Sequence, residues 1–219
     1  MPPSTRRSLL RAAAAGSLLL AVAGPAFADE GGWHSVDVTG SVPPLAFAMT
    51  DATTGKPVTA ADFRGKVTML YLGYTYCPDV CPLTLSRVVK VLDRLGKQAD
   101  DVRFLFVTVD PNRDSLKVLR EYTAAFSPRI IGLRGSDDAL ARLARRYHLE
   151  YSVKPTTGTT PYDVTHSSAI YVFDRQGNAR LLVASLASTT PDIPGTADDL
   201  RRVLNGAGQG WFARLMSMI

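Results

Sequence analysis

Two closely spaced cysteines are the residues of this sequence best suited to do chemistry. Cys77 and Cys81 are the only cysteines among 219 residues, and they lie in the stretch GYTYCPDVCP at 73–82. A disulfide across so short a loop removes little conformational freedom from the unfolded chain, so it would stabilise a fold only weakly. The spacing therefore indicates a chemical role for the pair rather than a structural one.

Two kinds of chemistry are compatible with this spacing. Positions i and i+4 share one face of a helical turn, so the two sulfurs could form a reversible disulfide or could hold one soft metal ion together. A cysteine at a helix N-terminus has a stabilised thiolate, which is the form that attacks disulfides and binds metals. Pro78 and Pro82 follow the two cysteines and restrict the backbone of the loop. Both uses remain open at this point.

The choice of metal depends on the other available ligands. A closed zinc site usually takes four protein ligands, many of them cysteines, whereas Cu(I) accepts fewer soft ligands and one imidazole would complete a three-coordinate site. The sequence has three histidines, His34, His148 and His166. We expect His34 to be solvated in a polar segment and His148 to follow the end of a helix. His166 directly precedes a predicted strand, where it is either structural or directed at the functional edge of the sheet.

The elements that must position these residues alternate between strands and helices. An apolar run at 67–72 predicts a buried strand leading into the cysteines, and apolar residues at helical spacing follow from 82 to 95. The further predicted elements are a hairpin within 44–59, a strand at 102–109, a helix at 114–126, a strand at 130–133, a helix capped by Ser136 and ending at 146, a hairpin of strands 169–173 and 179–183, and a helix starting at 196. This pattern predicts an α/β fold of the thioredoxin-like type, with a central mixed sheet, flanking helices and an N-terminal hairpin extension.

The first residues read as an export signal. Residues 1–28 contain Arg6 and Arg7, an apolar run and the small-x-small sequence Ala26–Ala28. The arginine pair resembles a twin-arginine signal, and the alternatives are an ordinary secretory signal or an uncleaved membrane anchor. Because the run is shorter than the ~20 apolar residues of a membrane span, we expect cleavage before Asp29 and a periplasmic mature protein. Thiols oxidise in that compartment unless something uses or protects them.

The rest of the chain reads as one domain. We expect a flexible lead-in at 29–43, a thioredoxin-like domain at 44–205 and a C-terminal tail at 206–219. The net charge is +5, but residues 1–28 contribute three arginines and no acidic residue, so the remainder is close to neutral. No basic stripe is present, which excludes nucleic acid as an expected partner.

Several segments together resemble the Sco/SenC family. They are GYTYCPDVCP followed by LTLSRVVKVL, then FVTVDPNRDSLKVLREY, IIGLRG and DVTHSSAIYVFDRQG, and the resemblance extends from about Pro44 to Leu204. Members of this family are thioredoxin-like proteins that bind a copper ion and assist assembly of the dinuclear copper centre of cytochrome c oxidase. The resemblance implies Cys77, Cys81 and His166 as metal ligands.

The resemblance also suggests supporting residues and partners. A family aspartate falls on Asp110, and Asp79 lies between the two thiols, so we expect both to orient the ligands or the cysteine loop. For Asp110 the alternative role is a helix cap for the segment that begins at Pro111. The expected partners are the copper-bearing subunit of the oxidase and other periplasmic copper carriers or thiol reductants. Most members of the family keep a membrane-spanning N-terminal helix, whereas we expect the signal of this chain to be cleaved. The loop at 154–161 and the methionine-containing tail at 211–219 have no predicted role.

Other functions use the same cysteines. In a thiol–disulfide reductase, one of Cys77 and Cys81 would attack a partner disulfide and the other would resolve the mixed disulfide. A peroxide-reducing enzyme is disfavoured because Tyr74 occupies the position, three residues before Cys77, where such enzymes carry an activating threonine. The resemblance favours copper handling, which is not an enzymatic activity, over the reductase.

Overall fold

The computed structural model describes residues 32–155 and 162–206. The predicted export signal, most of the loop at 154–161 and nearly all of the C-terminal tail therefore lie outside the described residues. Within the described ranges, no helix combines the length and hydropathy that a membrane crossing requires.

The described residues contain ten strands and four α-helices. The strands are β1 (Val36–Asp37), β2 (Ala48–Asp51), β3 (Pro57–Thr59), β4 (Val67–Gly73), β5 (Val102–Thr108), β6 (Ile130–Arg134), β7 (Tyr151–Pro155), β8 (Tyr162–His166), β9 (Ile170–Phe173) and β10 (Ala179–Val183). The helices are α1 (Val80–Leu95), α2 (Leu116–Ala124), α3 (Asp137–Arg146) and α4 (Ile193–Leu204). Short 3₁₀ segments at 60–63, 96–101 and 185–187 connect some of them.

Eight of these strands form one mixed sheet in the order β1-β10-β9-β4-β5-β6-β2-β3. The neighbours β4, β5 and β6 are parallel, whereas β9 joins β4 and β2 joins β6 in antiparallel pairs. All seven residues of β4 are buried, as expected for a central strand covered on both faces. The predicted mixed α/β sheet is confirmed, and the predicted N-terminal hairpin is formed by β2 and β3.

Local hydrogen bonds explain where two helices begin. The Ser136 hydroxyl accepts a hydrogen bond from the Ala139 backbone N–H at 3.2 Å, which confirms the predicted cap of α3. The last helix was predicted to start at 196, but α4 starts at Ile193. The Asp192 side chain caps it through the Gly195 backbone N–H at 2.8 Å, and proline in a first turn has no hydrogen bond to lose.

The lead-in differs from the flexible segment that we expected. Residues 36–37 form β1, which pairs with β10 at the edge of the sheet. The fully buried carboxylate of Asp199 accepts hydrogen bonds from the backbone N–H groups of His34 at 3.1 Å and Ser35 at 2.8 Å. His34 also lies 3.3 Å from the Asp192 carboxylate. This histidine therefore helps to attach the lead-in to α4 rather than being simply solvated.

Candidate metal centre

The cysteine-bearing loop joins the central strand β4 to α1. Cys81 lies in the first turn of α1, whereas Cys77 precedes the helix, which begins at Val80. The two residues are therefore not on one helical face, yet the Cys81 backbone N–H donates to the Cys77 sulfur at 3.4 Å. That bond satisfies one of the N–H groups left unpaired at a helix start. Both cysteines are buried, and both are free thiols.

Gly73 allows the buried thiol to sit close to the sheet. A Cβ atom at this position would lie 2.6 Å from ring carbons of Phe106 and 3.1 Å from the Cys81 Sγ atom. Real Cβ atoms do not approach an aromatic ring so closely, so only glycine fits between β5 and the thiol. The sequence identified Gly73 as the end of a strand, but its packing role becomes visible only in the structure.

His166 reaches the cysteines from a separate two-stranded hairpin. It is the last residue of β8, and its Nε2 atom lies 3.3 Å from the Cys81 Sγ atom. Its Nδ1 atom lies 3.0 Å from the Ser167 carbonyl oxygen, an acceptor, so in the neutral imidazole Nδ1 carries the proton and Nε2 offers its lone pair. The rings of Tyr71 and Tyr74 contact the imidazole edge-on, with centroids at 5.7 and 5.8 Å.

The structure thus brings together the three residues that the sequence suggested as ligands. The two sulfurs and one imidazole nitrogen of Cys77, Cys81 and His166 all lie within 4.8 Å of one another. In the described part of the chain this is the one such group of potential metal ligands. Two sulfurs and a neutral imidazole form a soft donor set of the kind that Cu(I) prefers, and a closed zinc site would need a fourth protein ligand.

The two thiols differ in acidity because they share one proton. The pKa of Cys77 is strongly lowered, chiefly because the Cys81 side chain donates a hydrogen bond to its sulfur, with further donation from the backbone N–H groups of Asp79 and Cys81, and these bonds outweigh the opposing effect of burial. The pKa of Cys81 is raised, chiefly by that same hydrogen bond and then by burial. Burial and the nearby thiolate also raise the pKa of the Tyr74 phenol to about 12, so this wall of the site stays neutral.

The two predicted supporting aspartates occupy different environments. The Asp110 side chain is buried, pairs with Arg113 and accepts a hydrogen bond from the Tyr162 hydroxyl at 2.7 Å. It therefore contacts the strand that carries His166. The Asp79 side chain is exposed and makes no capping bond to α1, so its contact with the site is through its backbone.

Asp114 is a supporting residue that sequence reasoning missed. Its carboxylate is fully buried and accepts hydrogen bonds from the Thr75 backbone N–H at 3.1 Å, the Thr75 hydroxyl at 2.5 Å and the Thr108 hydroxyl at 2.5 Å. These bonds attach the cysteine loop to the end of β5. We had predicted Asp114 as the first residue of a helix, but α2 begins at Leu116 after a cap by Ser115. The available signal was a second aspartate in DPNRD, directly after a buried strand.

Fold and site together define a thioredoxin-like protein in which two cysteines and one histidine lie close enough to hold a metal ion. The protein-family model described as SCO1/SenC matches residues 44–205, so the chain belongs to the SCO1/SenC family. Among curated proteins, the mouse mitochondrial protein SCO2 homolog is 40% identical over 125 residues, covering 56% of this chain and 49% of that protein. The chain spans about half the length of the curated relatives it matches.

Solved structures of relatives share the fold. The copper-bound ScoI of Bradyrhizobium japonicum is 34% identical with a TM-score of 0.64, covering 73% of this chain and 99% of that one. Copper-bound yeast Sco1 is 28% identical with a TM-score of 0.66, covering 77% of this chain and 92% of that one. These similarities confirm the thioredoxin-like fold. Copper, the predicted ion, is the metal named in both of those structures.

Proposed function

We propose that this protein binds a copper ion through Cys77, Cys81 and His166, and that it delivers or manages copper for assembly of the dinuclear copper centre of cytochrome c oxidase. The observation that carries the proposal is the convergence of two sulfurs and one imidazole nitrogen within 4.8 Å. Its partners would be the copper-bearing oxidase subunit, as recipient, and other periplasmic copper carriers or thiol reductants.

The protonation of the site suits the capture of a soft cation. The lowered pKa of Cys77 favours its thiolate form, and the Nε2 atom of His166 lies 3.3 Å from the Cys81 sulfur. Only the Cys81 proton must leave when the ion binds, so copper uptake would release protons. A three-coordinate ion would keep one side open, which is useful for a protein that must pass its cargo on.

A thiol–disulfide reductase is the second candidate, and the asymmetry of the thiols favours it. The Cys77 thiolate would attack a partner disulfide to form a mixed disulfide, with one partner sulfur leaving as a thiolate. After losing its proton, Cys81 would attack the Cys77 sulfur. The products are a Cys77–Cys81 disulfide and a fully reduced partner, so electrons balance with the partner disulfide as oxidant.

The His166→Ala variant separates the two functions. The reduced protein is titrated anaerobically with Cu(I), and separately with Cu(II). Removing a residue that hydrogen-bonds to a metal ligand typically lowers metal affinity ~10–100-fold, and we expect the loss of a ligand itself to be at least as large. The loss should be greater for Cu(II), which relies less on sulfur alone. The Cys77–Cys81 disulfide should still form and break. Failure of this variant in oxidase assembly would support copper handling.

The control variants are His34→Ala and His148→Ala, neither of which belongs to the donor set. Both should bind copper like the wild type. If His166→Ala supported oxidase assembly with its thiol exchange intact, the reductase would be the correct function. If His166→Ala bound copper as tightly as the wild type while His148→Ala did not, the ligand assignment would be wrong.

We further propose export to the periplasm and a single functional domain. The basis for export is Arg6, Arg7 and Ala26–Ala28 in the sequence. The proposed domain at 44–205 coincides with the range of the family match, which supports its boundaries. Intact-mass measurement of the periplasmic protein should give a chain that starts at Asp29. A full-length mass in the membrane fraction would instead identify an uncleaved anchor.

A further inference from the structure

Arg113 lies in the loop between β5 and α2, surrounded by aromatic rings. Its guanidinium carbon is 4.3 Å from the ring centroid of Tyr162, 5.1 Å from that of Tyr76 and 5.8 Å from that of Tyr74. Its Nε atom pairs with the buried carboxylate of Asp110, and only 18% of the arginine side chain is exposed. Such a cation over several ring faces is attracted by each of them, and more strongly when it is partly desolvated.

The same two residues hold Tyr162 in two ways. The Tyr162 ring lies under the Arg113 guanidinium, and its hydroxyl donates to the Asp110 carboxylate at 2.7 Å. Asp110 is itself fixed, because its backbone N–H donates to the Thr108 hydroxyl at 3.0 Å. Tyr162 is therefore attached to the carboxyl end of β5, within the central sheet.

The position of β8 depends on contacts of this kind. Strands β7 and β8 pair with each other in a separate two-stranded sheet, so no ladder of the main sheet holds them. Because side chains alternate along a strand, Tyr162, Val164 and His166 share one face of β8. Val164 is 8% exposed and belongs to the core, and His166 contacts the cysteines. We call this face, formed by Tyr162, Val164 and His166, the inner face of β8. Arg113 contacts its first residue, and its last residue carries the imidazole that lies beside Cys81.

We propose that Arg113 is a positioning residue for the metal centre, holding the inner face of β8 through Tyr162 and thereby setting where His166 stands relative to Cys81. Its contacts with Tyr76 and Tyr74 place it against the cysteine loop as well, so it connects both parts of the donor set. The consequence for copper rests on the proposed function, whereas the consequence for β8 does not. A planar guanidinium can contact several rings while its N–H groups pair with a carboxylate, which the compact ammonium of a lysine does less well.

The test compares Arg113→Gln with Arg120→Gln. Arg120 is exposed on α2. Its substitution by glutamine also removes one positive charge, but at a position outside the cluster of tyrosine rings around Arg113. In the reduced, metal-free protein, Arg113→Gln should speed amide hydrogen exchange at residues 162–166 relative to β4 and β5, and Arg120→Gln should not. With Cu(II) as probe, Arg113→Gln should lose about 10–100-fold in affinity. With Cu(I) the loss should be smaller, because the two sulfurs remain.

Two further variants distinguish positioning from a general structural role. Arg113→Lys keeps a charge opposite Asp110 but has no planar guanidinium to contact the three rings at once, so its changes should resemble those of Arg113→Gln. Tyr162→Leu should give the same changes as Arg113→Gln. The double variant should differ little from either single variant, because each of them removes the same contact between Arg113 and Tyr162. Unchanged exchange at residues 162–166 in Arg113→Gln would overturn the proposal, as would an increase spread evenly over β4, β5 and β6. If the wild type failed to bind copper, the proposed function would fall, and the exchange comparison would still decide the role of Arg113.

Discussion

At the scale of single residues, Gly73 determines how closely the buried thiol can pack against the sheet. Gly73→Ala would place a methyl group 2.6 Å from the Phe106 ring and 3.1 Å from the Cys81 sulfur. Neither neighbour is the free end of a flexible side chain, so the strand or the helix start must shift. Overpacking of this kind typically costs about 1–3 kcal/mol, and we expect a loss of that size in urea denaturation of the reduced protein.

The same substitution should also alter the dithiol. A displaced Cys81 would no longer keep its hydrogen bonds to Cys77, so the rate of disulfide formation should change along with stability. Gly32→Ala is the control, because an added Cβ there meets no atom within 4 Å. Equal stability and equal oxidation rates for Gly73→Ala and the wild type would show that the site can absorb the methyl group.

At the scale of elements, strong local patterns were readable from the sequence and long-range attachments were not. The apolar run of β4 and the Ser136 cap of α3 are local signals, and both elements were predicted. The start of α4 was missed because IPGT at 193–196 reads as a helix breaker, although Asp192 caps it there. The lead-in strand β1 has two residues, too few to show any alternation.

The hairpin of β7 and β8 shows why one part of the site escaped prediction. Its strands, YSVKP and YDVTH, alternate apolar and polar residues, but each has only five residues and neither has the continuous apolar run of a buried strand such as β4. Contacts of Tyr162 with Arg113 and with Asp110, which lies 52 residues earlier in the chain, help to hold β8 against the domain. His166 was therefore identified from the family resemblance, and the strand that delivers it was not foreseen.

At the scale of the whole molecule, Asp114 links the position of the cysteine loop to the stability of the folded protein. Its buried carboxyl ties the cysteine loop through Thr75 to β5 through Thr108. Burial, the largest influence, raises the pKa of Asp114 above its ordinary value of 3.8, although the hydrogen bonds from the two threonines oppose it. The folded protein therefore holds the Asp114 proton more tightly than the unfolded chain does.

This shift predicts how stability changes with pH. Where the folded state binds more protons, the free energy of unfolding falls as pH rises, so the cost of ionising buried Asp114 is fully present above its raised pKa. As pH falls through that pKa toward 3.8, the wild type should recover this free energy. Asp114→Asn removes the titration. Its amide can still accept from the Thr75 N–H and the Thr108 hydroxyl while donating to the Thr75 hydroxyl.

Urea denaturation of the wild type and of Asp114→Asn at several pH values measures the difference. The stability of the wild type relative to the variant should increase from neutral pH down to about 3.8 and level off below it. Asp93→Asn is the control, because it removes an exposed carboxyl of α1. The free energy of unfolding of this variant should change with pH as that of the wild type does. If the stability of the wild type relative to the variant stayed constant with pH, the pKa of Asp114 would be the same in the folded and unfolded states and the prediction would be wrong. If it grew as pH rose, the three hydrogen-bond donors would outweigh burial, and Asp114 would be more acidic in the folded protein than in the unfolded chain.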